Sequence, residues 1–98
     1  MLYMVIERFF EGADVVYARF REKGRMLPDG LEYVDSWVSE DLSACYQIMS
    51  TRDSRLLDQW MSHWNDIVSF DVVPILQSSD AQRQVFGVEQ VSTPPRTC

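Results

Sequence analysis

The sequence has little of what several common classes of protein need. One histidine and two cysteines in 98 residues are too few ligands for a zinc or iron site, and we expect neither a metal nor another cofactor. Nine lysine and arginine residues stand against fifteen acidic residues, giving a net charge of −6, so the phosphates of a nucleic acid would be repelled. The sequence also lacks a glycine-rich phosphate loop and a Ser-His-Asp pattern. These absences predict a small acidic protein with no nucleic-acid partner.

Long hydrophobic runs are absent as well. No apolar stretch approaches the roughly 20 residues that span a membrane, and Glu7 and Arg8 interrupt the first apolar segment before it could serve as a signal peptide. Cys45 lies in a predicted strand and Cys98 is the last residue, which favours free thiols in a reducing compartment. We therefore predict a cytoplasmic protein with no membrane partner.

What the chain does contain is a regular succession of strand and helix patterns. Alternation of apolar and polar residues predicts four strands, at residues 2–8, 31–38, 43–50 and 67–73. Between the first two strands, helical spacing predicts a helix that ends at Gly24. A second helix, capped by Thr51 or Asp53 and stopped by Asn65, precedes the fourth strand.

The order β-α-β-β-α-β predicts the fold. Two right-handed β-α-β crossovers interleaved in one sheet give a ferredoxin-like α+β fold, a four-stranded antiparallel sheet with two helices on one face. We assign residues 1–78 to this domain. Residues 79–98 form a C-terminal extension, a short helix followed by a mobile tail at 91–98.

The period of two along each strand assigns side chains to the two faces of the sheet. The sets Leu2, Met4, Ile6 and Val68, Phe70, Val72 are purely apolar, so we expect both to face the helices. A three-residue hairpin loop, 40–42, would place Asp35 opposite Gln47 and Trp37 opposite Cys45. The outer face would then carry Tyr3, Val5, Tyr33, Trp37, Met49 and Val73 together with Glu7, Asp35, Gln47, Ser69 and Asp71.

This outer face predicts a homodimer. Three aromatic side chains on one face exceed what a small monomer leaves exposed, and a second copy related by a two-fold axis would cover them. Two alternatives follow: a filled interface, or an interface that encloses a small-molecule pocket.

If there is a pocket, its residues come from the same face. The candidates for ligand binding are Tyr3, Tyr33, Trp37, Gln47 and Met49. Asp35 and Asp71 are the candidate catalytic groups and Glu7 is a third, because burial beside an aromatic ring raises a carboxyl pKa toward neutrality. Arg25 and Met26, in the loop before the second strand, are placed at the pocket mouth.

Several segments resemble a family of short bacterial proteins of unknown function, over roughly residues 1–80. The resemblance rests on residues 2–9, 20–30, 33–38, 45–47 and 70–74. That family is similar in layout to the dimeric α/β-barrel superfamily, whose members include cofactor-free and haem-degrading monooxygenases, muconolactone isomerase and ligand-sensing domains of transcription regulators. Their catalytic residues differ from group to group, so the resemblance implies no residue roles. His63, which a haem-binding relative would need as a ligand, is interpreted as a boundary residue of the second helix.

Two functions remain open from the sequence. The first is a dimer that binds a small aromatic or planar metabolite, acting as a cofactor-independent monooxygenase- or isomerase-like enzyme. The second is a non-catalytic dimerisation or ligand-sensing module whose interface is filled.

Overall fold

Strands and helices follow one another in the order that the sequence predicts. A computed structural model describes residues 1–87 of the chain. The elements are β1 (Leu2–Arg8), α1 (Ala13–Lys23), β2 (Glu32–Val38), β3 (Ala44–Ser50), α2 (Arg55–Met61), β4 (Ser69–Ile75) and α3 (Ser78–Phe86). The predicted mobile tail, residues 91–98, lies outside the described residues, and the domain boundary at residue 78 stays a prediction.

The sheet confirms the ferredoxin-like α+β fold. Its four strands lie in the order β2-β3-β1-β4, and every neighbouring pair is antiparallel. Because β4 is an edge strand, it tolerates Pro74, which pairs with Tyr3 but has no N–H to donate to a ladder. The two central strands, β1 and β3, supply most of the buried sheet residues.

The helices α1 and α2 pack on one face of this sheet. Val16 of α1 and Leu57 and Trp60 of α2 are buried in the same cluster as the sheet residues Val5 and Met49. This cluster forms the core. Among the helices of residues 1–87, none has the length and apolar character needed to cross a membrane.

Polar contacts fix the ends of the two helices. Arg19 of α1 donates two hydrogen bonds of 2.7 Å to the Asp66 carboxylate and a third to the His63 carbonyl, so α1 is tied to the turn that follows α2. Before α2, Thr51 Oγ1 accepts the Asp53 N–H and Asp53 Oδ1 accepts the Arg55 N–H. The N-cap residue of α2 is Ser54, whose side chain makes no capping hydrogen bond, so neither predicted residue holds the cap position, and both instead order the turn before the helix.

Asn65 does not stop α2 as predicted. The helix ends at Met61, and the only non-glycine residues with positive φ in the described part of the chain are Met26 and Leu42. After Met61 the chain continues in turns in which His63 N and Trp64 N donate to the carbonyls three residues earlier, so the helix ends before Asn65.

The faces of β1 and β3 are inverted relative to the prediction. Val5, Glu7, Gln47 and Met49 lie under the helices and are 0–7% exposed, whereas Leu2, Met4, Ile6 and Ile48 face away from them. The predicted outward placement of Tyr3, Gln47 and Met49 is therefore wrong. In β4 the prediction is correct, since Phe70 pairs with Glu7 and Val72 pairs with Val5 on the helix side.

The β2–β3 hairpin explains part of the error. Its register pairs Val38 with Cys45 and Trp37 with Tyr46, one residue away from the predicted pairing. The loop is longer than predicted, because Asp41 Oδ1 accepts the Ser43 N–H and the Ser39 hydroxyl and holds residues 39–43 in a wide turn.

A β-bulge at residue 34 changes the phase within β2. Tyr33 pairs with Met49 but Asp35 pairs with Ile48, so one residue on β2 has no partner. Tyr33 therefore faces the helices, which makes its predicted outward placement wrong. Asp35 and Trp37 face away from the helices, as predicted.

Candidate functional site

A half-open cavity of about 100 Å³ lies between the sheet and the two helices α1 and α2. It is of the same order as the roughly 150 Å³ cavity that is known to hold one benzene ring. The lining residues come from both layers: Glu7, Phe9, Val16, Tyr17, Phe20, Arg25, Ser36, Val38, Cys45, Gln47, Trp60 and Trp64. Five of these twelve are aromatic, so the walls suit a planar apolar body.

The strands bring the polar side chains of the cavity together. Glu7 on β1 pairs directly with Cys45 on β3, and Gln47 on β3 pairs with Ser36 on β2. Directly paired residues have Cβ atoms about 5 Å apart on the same face of a sheet. Four polar groups on three neighbouring strands therefore form one floor under the aromatic walls.

Glu7 is the most unusual group of this floor. Its side chain is buried, 5% exposed, and its Oε2 atom is the one buried side-chain oxygen or nitrogen without a hydrogen-bond partner among residues 1–87. Burial raises the pKa of the Glu7 carboxyl to about 7, an effect that the positive charge of Arg25 partly opposes. Near neutral pH this carboxyl can both accept and donate a proton.

Arg25 supplies the positive charge of the cavity. Its guanidinium carbon lies 3.7 Å from the centroid of the Tyr33 ring and 5.1 Å from that of Phe20. Such distances are typical of cation–π contacts, which hold a cation without neutralising it. The three salt bridges formed within residues 1–87 do not involve Arg25.

Helix α2 and the turn that follows it fix the loop that carries Arg25. The main-chain oxygen of Arg25 accepts hydrogen bonds from the indole nitrogens of Trp60, at 3.0 Å, and Trp64, at 3.2 Å. The loop begins with Gly24 at φ 68° and continues with Met26 at φ 59°, a left-handed conformation that costs a non-glycine residue free energy. The tryptophans thus both line the cavity and hold its charged residue in place.

Cys45 is not a nucleophile in this setting. Burial raises the pKa of its thiol to about 12, and the neighbouring charge of Glu7 adds to the shift. Since the thiolate is the reactive form, Cys45 acts as a small neutral wall group. Within residues 1–87 no group of three histidine, cysteine or acidic side chains is arranged to hold a metal ion.

The sequence-predicted site residues are divided between the two faces. Gln47 lines the cavity and Tyr33 stacks on Arg25, whereas Tyr3 and Met49 pack in the core. The other three, Asp35, Asp71 and Trp37, are exposed on the opposite face. The structure does not bring these seven residues together.

Sequence reasoning ranked Glu7 third among the carboxylates and placed Arg25 at a pocket mouth, and both line the cavity. It missed Ser36, Cys45, Trp60 and Trp64 as lining residues. One signal was available: Glu7 is the only acidic residue of β1, in phase with Val5, and an acidic residue in phase with buried ones indicates a cavity or an ion pair. His63 is exposed, in agreement with its interpretation as a boundary residue.

Comparison with known proteins gives one match. A family model described as Domain of unknown function (DUF3303) matches residues 1–88. No curated protein and no solved structure matches the chain.

Proposed function

The chain belongs to the family described as Domain of unknown function (DUF3303), and we propose that it binds a small planar metabolite between its sheet and helices and exchanges a proton with it through Glu7. The observation that carries this proposal is the buried carboxyl of Glu7, which has no partner for Oε2 among residues 1–87 and faces an aromatic cavity. A carboxyl in this condition costs stability. A functional role of Glu7 would explain why the protein keeps a buried carboxyl that lowers its stability.

The chemistry that these residues support is proton transfer. Glu7 Oε2 can take a proton from an O–H or an acidic C–H of the bound molecule and return it to another atom of the same molecule, so the step balances without a co-reactant. The same first deprotonation prepares a planar molecule for attack by dioxygen in cofactor-independent monooxygenation. The neutral thiol of Cys45 makes nucleophilic catalysis by this residue the weaker alternative.

Binding can be tested through the tryptophans of the cavity. In a Trp37→Phe background the remaining tryptophans, Trp60 and Trp64, both line the cavity. Titration with phenol, a neutral ring of suitable size, should change their fluorescence with a Kd in about the millimolar range, as for other very small ligands.

A matched pair of variants on β2 controls this experiment. Val38→Phe places a ring in the cavity that Val38 lines and should abolish the response. Val34→Phe makes the same change at the exposed bulge residue and should leave it intact. An absent response in the parent protein, or an equal response in both variants, contradicts binding in this cavity. Saturable binding without turnover of any planar acid would favour the ligand-sensing module over the enzyme.

We further propose that the chain forms a homodimer through the sheet face that points away from α1 and α2. Its four strands of seven residues offer a face of about 19 by 23 Å, roughly 400 Å². This area is comparable with the largest apolar patch on a typical monomer, roughly 300–600 Å². Apolar side chains cover most of it: Leu2, Met4, Ile6, Trp37, Tyr46, Ile48, Val73 and Ile75.

The homodimer proposal has its own test. Trp37 is 55% exposed on this face, and Trp37→Ala should weaken dimerisation by about 2 kcal/mol or more, as at other aromatic hot spots. Leu42→Ala is the control, because Leu42 is equally exposed but lies in the hairpin loop. Sedimentation should give a parent mass near twice 11.4 kDa. A stable parent monomer, or equal effects of the two substitutions, would argue against this interface.

A further inference from the structure

Two opposite charges line the cavity without meeting. Glu7 and Arg25 both line it, yet no guanidinium nitrogen of Arg25 comes within 4.0 Å of a Glu7 carboxyl oxygen. Opposite charges attract more strongly in a partly buried site than in water, yet no salt bridge joins these two. Each therefore remains available to a polar group of a bound molecule.

The guanidinium of Arg25 is held with its donors unused. The Tyr33 ring, 3.7 Å away, covers a face of the group, whereas its five N–H donors point outward in the plane. None of the five N–H donors makes a hydrogen bond to another residue among residues 1–87, and the Arg25 side chain is half-buried. A planar, stacked guanidinium with a free edge is the arrangement that binds a carboxylate through two parallel hydrogen bonds.

We propose that the molecule bound in this cavity is a planar conjugated acid whose anionic oxygen, a carboxylate or an enolate, binds the edge of Arg25 while its opposite end donates a hydrogen bond to Glu7. This inference rests on the proposed function, since it names the class of ligand that the same cavity takes. The aromatic side chains that line the same cavity, including Phe9 and Tyr17, contact the flat body of the molecule. Gln47 beside Glu7 offers an amide that can accept or donate.

Benzoate and benzamide are a pair of probes that tests how the charge of the ligand affects binding. The two molecules have nearly the same shape and differ in the charge of the group that would meet Arg25. In the Trp37→Phe background, benzoate should bind about tenfold or more tightly than benzamide, as expected for a hydrogen bond to a charged group. 4-Hydroxybenzoate, which adds a donor at the opposite end, should bind more tightly than benzoate.

Two variants of Arg25 test whether this residue causes the preference for benzoate over benzamide. Arg25→Gln should bring the benzoate-to-benzamide ratio to about one, because the charge is removed while the cavity remains. Arg25→Lys keeps the charge but loses the planar fork, so the benzoate-to-benzamide ratio should fall below that of the parent protein and stay above that of Arg25→Gln. Benzamide binding thus reports in each variant that the cavity is still formed.

The outcomes separate this inference from the proposed function. Equal binding of benzoate and benzamide to the parent protein overturns the acid as ligand and leaves binding of planar molecules in place. A preference for benzoate that persists in Arg25→Gln places the anion elsewhere and also overturns it. If phenol, benzoate and benzamide all fail to bind, the proposed function fails and this inference fails with it.

Discussion

Replacing Glu7 with glutamine should stabilise the fold in alkaline solution and have much less effect in acid. The folded state holds the Glu7 proton with a pKa of about 7, compared with 4.5 for the freely solvated group. Between these pH values the folded state binds more proton than the unfolded state, so the free energy of unfolding falls as the pH rises. Below pH 4.5 the side chain costs nothing through ionisation, and above pH 7 the full cost is present.

The magnitude follows from the two pKa values. At 1.36 kcal/mol for each pH unit, ionisation of Glu7 costs about 3 kcal/mol at pH 8 and about 1 kcal/mol at pH 5. The stability gained by Glu7→Gln should therefore be about 2.5 kcal/mol larger at pH 8 than at pH 5. For a chain of this length that difference corresponds to roughly 10–20 °C in Tm.

Urea denaturation of the parent and the variant at pH 5 and pH 8 measures this difference. Any constant effect of the amide on packing cancels between the two pH values. Glu32→Gln is the matched control, because it removes the same charge from an exposed position on β2. A gain that is the same at both pH values for Glu7→Gln would refute the argument that this carboxyl is buried and unpaired.

Two further predictions concern the loop before β2 and the cavity thiol. Gly24→Ala should cost about 1–3 kcal/mol of stability, since the backbone of Gly24, at φ 68° and ψ −158°, lies in a region that residues with a Cβ rarely adopt. A thermal melt of this variant that matches the parent would contradict the argument. In a Cys98→Ser background, Cys45 should not react with a thiol reagent at pH 8 until the protein unfolds, because its thiol pKa is about 12. Rapid labelling of the native protein would show an accessible thiolate.

The order and position of the elements could be predicted from the sequence because local signals mark them. Gly24 ends α1 with φ 68°, and the apolar spacing of the predicted second helix identifies Leu57, Trp60 and Trp64, which all lie in the core. The faces of β1 could not be assigned in the same way. Leu2, Met4 and Ile6 form the purely apolar set, and a rule that sends such a set to the core fails where the core side holds a polar cavity.

The candidate site was only partly predictable for the same reason. A cavity floor needs polar residues such as Glu7 and Gln47 in phase with buried ones, which breaks the alternation that identifies a core face. The position of Arg25 depends on hydrogen bonds from indoles 35 and 39 residues away in the sequence. No local pattern encodes such distant contacts.

The bulge in β2 lets one strand contribute an aromatic side chain to each of two surfaces. Side chains four residues apart normally share a face of a strand, but the unpaired residue 34 turns Tyr33 toward Arg25 and Trp37 toward the opposite side. A regular strand of the same length, with no unpaired residue, would place both rings on one face. Arg25 would then lose its stacking partner, or the outer face would lose its indole. With three residues between Tyr33 and Trp37, one unpaired residue is thus a structural requirement in itself, whatever side chain it carries.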